Sequence, residues 1–219
     1  MGLISSLINK QDAVELVRDK TAQILADETA SQQALATSAS LDPTPWAFRV
    51  YRERSNPFDM FKDPDSDVTP IVNVSWDSSS LTAGDRTKSS VFEAQIHLDV
   101  IAFAVSRSNG SGHMPGDEQA ALNRDRIVRL VRNIVSAADY IYLDLRGVVT
   151  ERKITSITNY QGDGNDRAGC FTLASRLTLS VKLQETSPQV DGVPLDVVSI
   201  NIKRASDGQI LASARYDYT

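Results

Sequence analysis

The sequence predicts an α+β fold: a mixed, mostly antiparallel sheet packed by an N-terminal helix and a central helix, with a C-terminal β-hairpin extension. Three observations predict it. Residues 91–105 and 170–184 both alternate between apolar and polar side chains, the period-2 signature of strands with one buried face. Between them lies a stretch with apolar residues at helical spacing and a row of arginines on its other side. A further amphipathic helical run opens the chain.

In that opening run Asn9 and Asp12 supply capping side chains, and Val14, Val17, Ile24 and Leu25 recur at helical spacing among Glu15, Arg18, Asp19 and Lys20. The helix is predicted from near Asp12 to around Ala36, and Asp42-Pro43-Thr44-Pro45 stops it. Trp46, Phe48 and Val50 alternate with polar neighbours as a first strand. A polar loop spanning 62–67 and a second strand at 71–76 follow. Residues 78–90, rich in Ser, Thr and charge, read as a turn or hairpin tip.

In the first long strand Phe92, Ala94, Ile96, Leu98, Val100, Ala102 and Ala104 share a face, with Glu93, Gln95, His97 and Asp99 on the other. The Gly- and Ser-rich stretch 106–116 is predicted to be a flexible loop. Asp117 and Glu118 then suit the positive end of a helix whose apolar stripe is Leu122, Ile127, Leu130, Val131, Ile134 and Val135. Arg126, Arg129 and Arg132 are placed on its opposite face, partly neutralised by Asp125.

A strand at 148–160 and the strand from Cys170 form a hairpin around the Gly-Asp-Gly turn at 162–164. Pro188 and Pro194 mark a break, so the chain is divided into a main domain, 1–186, and an extension, 187–219. In the extension Val198, Ile200 and Ile202 are expected to pair with Ile210, Ala212, Ala214 and Tyr216 around Ser206-Asp207-Gly208.

Composition narrows the function. A formal charge of −5 argues against a protein that coats nucleic acid, which needs a net basic surface to displace counterions. Cys170 is the only cysteine, so no intrachain disulfide and no cysteine-based zinc site can form, which fits a reducing compartment. No apolar run approaches the roughly 18 residues that span a bilayer, and the N-terminus lacks the pattern of a secretory signal. Met1-Gly2-Leu3-Ile4-Ser5-Ser6 matches the loose myristoylation pattern and is read instead as an apolar turn.

Candidate chemistry is sparse. His97, with Asp99 and Glu93 on the same strand face, is the best metal or proton-transfer set, and it is read instead as a hydrogen-bonded surface histidine. His113 sits in a Gly/Ser stretch. The glycines at 162, 164 and 169 lack the following helix that a phosphate cradle needs, and Asp163, Asn165 and Asp166 lack the bidentate Glu of a calcium loop. No catalytic residue, metal ligand or cofactor site is assigned. The arginine row could meet phosphate or an acidic partner.

The order of parts carries a resemblance. A leading helix is followed by the Phe48-Arg49-Val50-Tyr51 strand and by a long strand ending Ile101-Ala102-Phe103-Ala104-Val105. Ala120-Ala121-Leu122 then opens an Arg-rich helix, and two return strands complete the set. Over about residues 12–185 this resembles the tail terminator, or tail completion, proteins of tailed bacteriophages. The resemblance implies a non-enzymatic virion protein of the tail and neck, assembled in the host cytoplasm. Its hexameric ring caps the tail tube, ends polymerisation of the tube protein and docks to the head-tail connector protein, with DNA passing only as cargo. The C-terminal hairpin exceeds the compact pattern of that family and suggests a further contact, with a neighbouring subunit or, in a contractile tail, the sheath.

The candidate contact residues are Arg126, Arg129 and Arg132 on the helix, Arg107, Asn109 and His113 before it, and Ile200, Ile202, Ile210 and Tyr216 in the extension. The alternatives are another neck or head-completion protein, a tail tube subunit, a small metal-dependent enzyme built on His97, and a nucleic-acid module built on the arginines.

Overall fold

The computed structural model describes residues 11–55, 69–83, 89–109, 112–161, 170–186, 197–203 and 210–217. The expectations at 1–10, 62–67, 162–169, 187–196 and 206–208 lie outside the described residues. The fold is α+β, as the alternation predicts: two helices and a five-stranded, mostly antiparallel mixed sheet, followed by a β-hairpin. The chain divides after Thr186 into two compact units.

Helix α1, Ala13–Ser38, starts at a capping box. The Asp12 carboxylate accepts from the Glu15 backbone N–H at 2.8 Å, and the Glu15 carboxylate accepts from the Asp12 N–H at 3.1 Å, so two donors with no partner inside the helix are satisfied reciprocally. All four apolar residues named from the sequence, Val14, Val17, Ile24 and Leu25, are buried. The Thr29 hydroxyl donates to the Trp46 carbonyl and ties the next segment to the helix. That segment is a 3-10 turn at Thr44–Trp46, because prolines 43 and 45 preset its dihedrals; strand β1 therefore begins only at Arg49 and runs Arg49–Arg52, later than the alternation from Trp46 suggests.

Strand β1 pairs in parallel with β2, Ile71–Ala83. β2 pairs antiparallel with β3, Ser89–Val105, so residues expected as a turn at 78–83 and 89–90 extend two strands instead. Two short strands, β4 (Arg107–Asn109) and β5 (Gly112–Met114), pair with each other, so the stretch expected to be a flexible loop holds a small ladder. Helix α2 is Gly116–Ser136, with Asp117 and Glu118 in its first turn as expected. Strands β6, Val149–Gln161, and β7, Cys170–Thr186, complete the sheet in the order β1-β2-β3-β7-β6.

Both helices pack on one face, α1 against β1 and β2 and α2 against β3 and β7. The register sets Ile96 beside Leu179, Leu98 beside Leu177 and Ala94 beside Val181, all buried, with Ile127, Val131 and Val135 of α2 in the same core. Leu122, expected in the stripe of α2, is instead 59% exposed, because five residues of helix turn it about 140° away from the buried Ile127, while Ala120 is buried. Gly116 lies close against the end of the sheet, because a Cβ there would lie 2.6 Å from Phe171 Cδ2 and 2.7 Å from the Ser106 backbone nitrogen.

Arg152 faces this apolar side and holds the 3-10 turn that follows α2. Its guanidinium donates to the carbonyls of Ala137 and Tyr140, at 2.6 Å each. The Tyr140 hydroxyl in turn donates to Glu28 of α1, which with burial pushes its pKa up to about 12.

The C-terminal unit contains β8, Val197–Lys203, and β9, Ile210–Asp217. They pair antiparallel with Val198 opposite Tyr216, Ile200 opposite Ala214 and Ile202 opposite Ala212, the partners named from the sequence; Ile210 stands opposite Lys203 across an irregularity.

Candidate functional site

The sheet face away from the helices holds the residues that alternation assigns to chemistry, and their partners are neighbouring strands. Arg176 grips Asp99 through two hydrogen bonds, 2.7 and 2.9 Å, from β7 to β3, and its guanidinium lies 5.9 Å from the Tyr160 ring centroid. The Asp99 bonds raise the Arg176 pKa above its ordinary value. Glu93 accepts from the Ser180 hydroxyl, and Glu151 from Lys182. His97 has neither Asp99 nor Glu93 as a partner; its Nε2 lies 3.8 Å from Asp77 of β2. The expected His97, Asp99 and Glu93 set therefore does not converge, because cross-strand neighbours at van der Waals range outcompete residues two apart on one strand. Among the described residues no group of three His, Cys, Asp or Glu side chains could hold a metal ion.

At one end this same face turns apolar. Ile71, Ile101 and Phe103 are buried there, with Tyr51, Val105 and Ala174 packed against them. The uninterrupted apolar run from Val100 to Val105 is the sequence signal of a strand end buried on both faces.

The arginine row of α2 separates. Arg129 and Arg132 are exposed, and Asp125 pairs with Arg124, at 2.7 and 2.9 Å, leaving the row without its expected neutraliser. Three residues advance about 300° around a helix, so a row at this spacing drifts by roughly 60° per step and its ends diverge. Arg126 accordingly leaves the solvent face and lines a cavity of about 500 Å³ beside the 3-10 turn, the end of β3 and the β4–β5 ladder. Its Nε is buried without a hydrogen-bond partner. Burial lowers its pKa first and the nearby Arg129 second, while Asp42 opposes both. Asp42 itself accepts from Thr44, whose side chain first and backbone N–H second, the latter at 3.0 Å, hold its carboxyl below the usual range.

Of the other candidates, Arg107 lines the same cavity and is exposed. His113 Nδ1 lies 3.0 Å from the Ser108 hydroxyl across the ladder, and Asn109 pairs in backbone register with Gly112. The structure thus brings Arg107 and Arg126 to one cavity and leaves Arg129 and Arg132 outside it. Asp42 was missed in the sequence: nothing local to Asp-Pro-Thr-Pro marks it as the neighbour of a residue some eighty positions later.

A comparison with models of known protein families found no match, and a comparison with curated proteins found none at a significant level.

Proposed function

We propose that the protein is a structural subunit of a bacteriophage tail, a terminator whose copies close into a hexameric ring that caps the tail tube, stops its growth and docks to the connector. The observation that carries this reading is the pair of open sheet edges. β1 covers β2 only from Ile71 to Val74, and the Glu53 carboxylate takes up the Trp76 N–H. Beyond that point β2 has a neighbour on one side alone among the described residues, and residues 76–81 are exposed. At the opposite edge β6 pairs only with β7 among the described residues, and residues 155–160 are exposed, Ile157 and Tyr160 among them.

The polarity of these edges matters. With β2, β3, β7 and β6 successively antiparallel, β6 of one copy laid beside β2 of the next continues the antiparallel order. Two different surfaces meeting head to tail generate a ring when the rotation closes. Long unblocked edges are a hazard to a monomer, and a subunit that assembles through them has a reason to keep them. The β-bulges near Trp76 and Ile154 confine such pairing to short segments, which favours a defined contact over open-ended aggregation.

Light scattering after size exclusion, together with electron microscopy of the purified protein and of its mixture with isolated tail tubes, tests the proposal. Discrete single rings are the expected result. Ile157→Lys, which places a charge on the β6 edge, should leave a folded monomer. Open tubes grown by the pure protein would replace the reading with that of a tube subunit. A monomer that forms no ring either alone or on tubes would refute it.

A further inference from the structure

Among the described residues Arg126 is the arginine with a buried nitrogen left unpartnered. It donates no hydrogen bond and forms no ion pair within the described structure; its Nε is sealed from solvent while the guanidinium as a whole is partly buried. Buried polar donors are ordinarily hydrogen-bonded, because an unpaired one gives up hydration without recompense. Asp42 approaches only closely enough to be felt through space, and its carboxylate is already engaged by the Thr44 N–H. The two amide side chains of the cavity do not help, since the Gln119 amide donates to Asn123 at 3.1 Å.

We propose that this cavity binds a carboxylate carried on an apolar body, with Arg126 as its anchor. Three features select that ligand. The guanidinium fork matches a carboxylate in two-point geometry, and Arg126 lines the cavity. The cavity's charges are Arg126 and Arg107 against Asp42, one net positive charge, which suits a monoanion better than a phosphate dianion. The remaining wall is apolar: Pro45, Ala47, Pro70, Phe103 and Met114 contribute, and about 500 Å³ is far more room than the anion alone needs. A glutamate or aspartate flanked by apolar residues on a partner protein fits this description, and so does a free medium-chain carboxylic acid.

The test is calorimetric titration of the full chain with hexanoate, hexanamide, inorganic phosphate and a capped peptide bearing one Glu between leucines. Hexanoate should bind saturably and its uncharged amide should not. Arg126→Gln should weaken hexanoate by about tenfold or more, as expected for loss of a charge-assisted pair, while Arg129→Gln leaves it within about twofold. Asp42→Asn, which can still accept from Thr44, should strengthen it. Thermal unfolding guards against a folding artefact: Arg126→Gln gives up no hydrogen bond or ion pair of the described structure and should melt no lower than the wild type. The peptide binding more tightly than hexanoate assigns the site to a protein partner, and the reverse order assigns it to a free acid. No saturable binding by hexanoate or peptide, phosphate binding as well as either, or indifference to Arg126→Gln and Asp42→Asn would overturn the proposal.

Discussion

Replacing Gly116 by Ala separates helix propensity from tertiary packing, because the two predict opposite signs. Gly116 opens α2, and alanine in a helix is favoured over glycine by about 0.8–1 kcal/mol in an interior position and less in the first turn. The tertiary environment works against it. The new methyl would sit 2.6 Å from Phe171 Cδ2, 2.7 Å from the Ser106 backbone nitrogen and 3.0 Å from the Val105 carbonyl carbon. Phe171 can rotate away, whereas the backbone at 105–106 is the end of the long β3 ladder, held by pairing with β7 out to Cys170. The Gly116 N–H also donates to the Ser106 hydroxyl at 3.0 Å, a bond that any withdrawal of the helix would stretch. Overpacking of this kind costs about 1–3 kcal/mol, which exceeds the propensity gain and leaves a net loss of about 1–2 kcal/mol. At roughly 2–4 °C per kcal/mol for a chain of this size, the melting temperature should fall by about 2–8 °C. Urea unfolding followed by circular dichroism measures it, and a Phe171→Ala background should recover only part of the loss. A variant as stable as the wild type, or more so, would show that β3 and α2 are not this close and would refute the reasoning.

Two further predictions concern the end of α2. Arg152→Met keeps the aliphatic stem but removes the charged donor from the carbonyls of Ala137 and Tyr140, which keep the backbone N–H groups of Tyr140 and Leu143; with charged donors worth about 1.5–3 kcal/mol, both carbonyls still partnered and the guanidinium partly open to water, a loss of about 1–2 kcal/mol is expected in the same urea assay, against little change for Lys153→Met, whose side chain is exposed. Tyr140 should be among the last tyrosines to ionise, near pH 12, in an ultraviolet phenolate titration, and Glu28→Gln should bring it back toward 10. Its folded pKa is raised above the unfolded value, so the stability it contributes is complete below about pH 10 and disappears as the pH climbs through about 12. A Tyr140→Phe variant that still shows this late phenolate would exclude the assignment.

The fold was legible where a single face decides the pattern. β3 and β7 alternate because α2 covers one side of them and cross-strand polar pairs occupy the other, so period 2 survives in the sequence. α1 was legible for the same reason, its buried residues lying on one stripe. Residues 78–81 were not: both faces of β2 there are open to water, so this stretch opens on a run of serines, and only its hydrogen bonding to β3 reveals it. The ladder of β4 and β5 is a similar case, with Arg107, Ser108 and residues 112–114 exposed and a composition that alone reads as flexibility. Arg126 failed for a geometric reason, since residues at spacing three resemble a single face only while the drift around the helix is ignored.

On the sheet the candidate chemistry moved for a different reason. Acidic and basic residues that alternate along a strand look unengaged in the sequence because their partners are brought in from another strand, as Arg176 is to Asp99 over a separation of seventy-seven residues. Once folded, the carboxylates of Asp99, Glu93 and Glu151 all have donors, so the polar face of the sheet reads as a lattice that fixes strand register. Arg126 shows the reverse. In sequence it looks like one member of a solvated row; in the fold it is the arginine whose Nε is buried and unpaired, with a cavity in front of it and a second arginine at the wall. Unsatisfied charge, rather than accumulated charge, marks the place on this molecule where an outside group has something to supply. The exposed Arg129 contributes to that place by repulsion, since after burial it is the next cause that lowers the pKa of Arg126, and so it adds to the advantage of a bound anion.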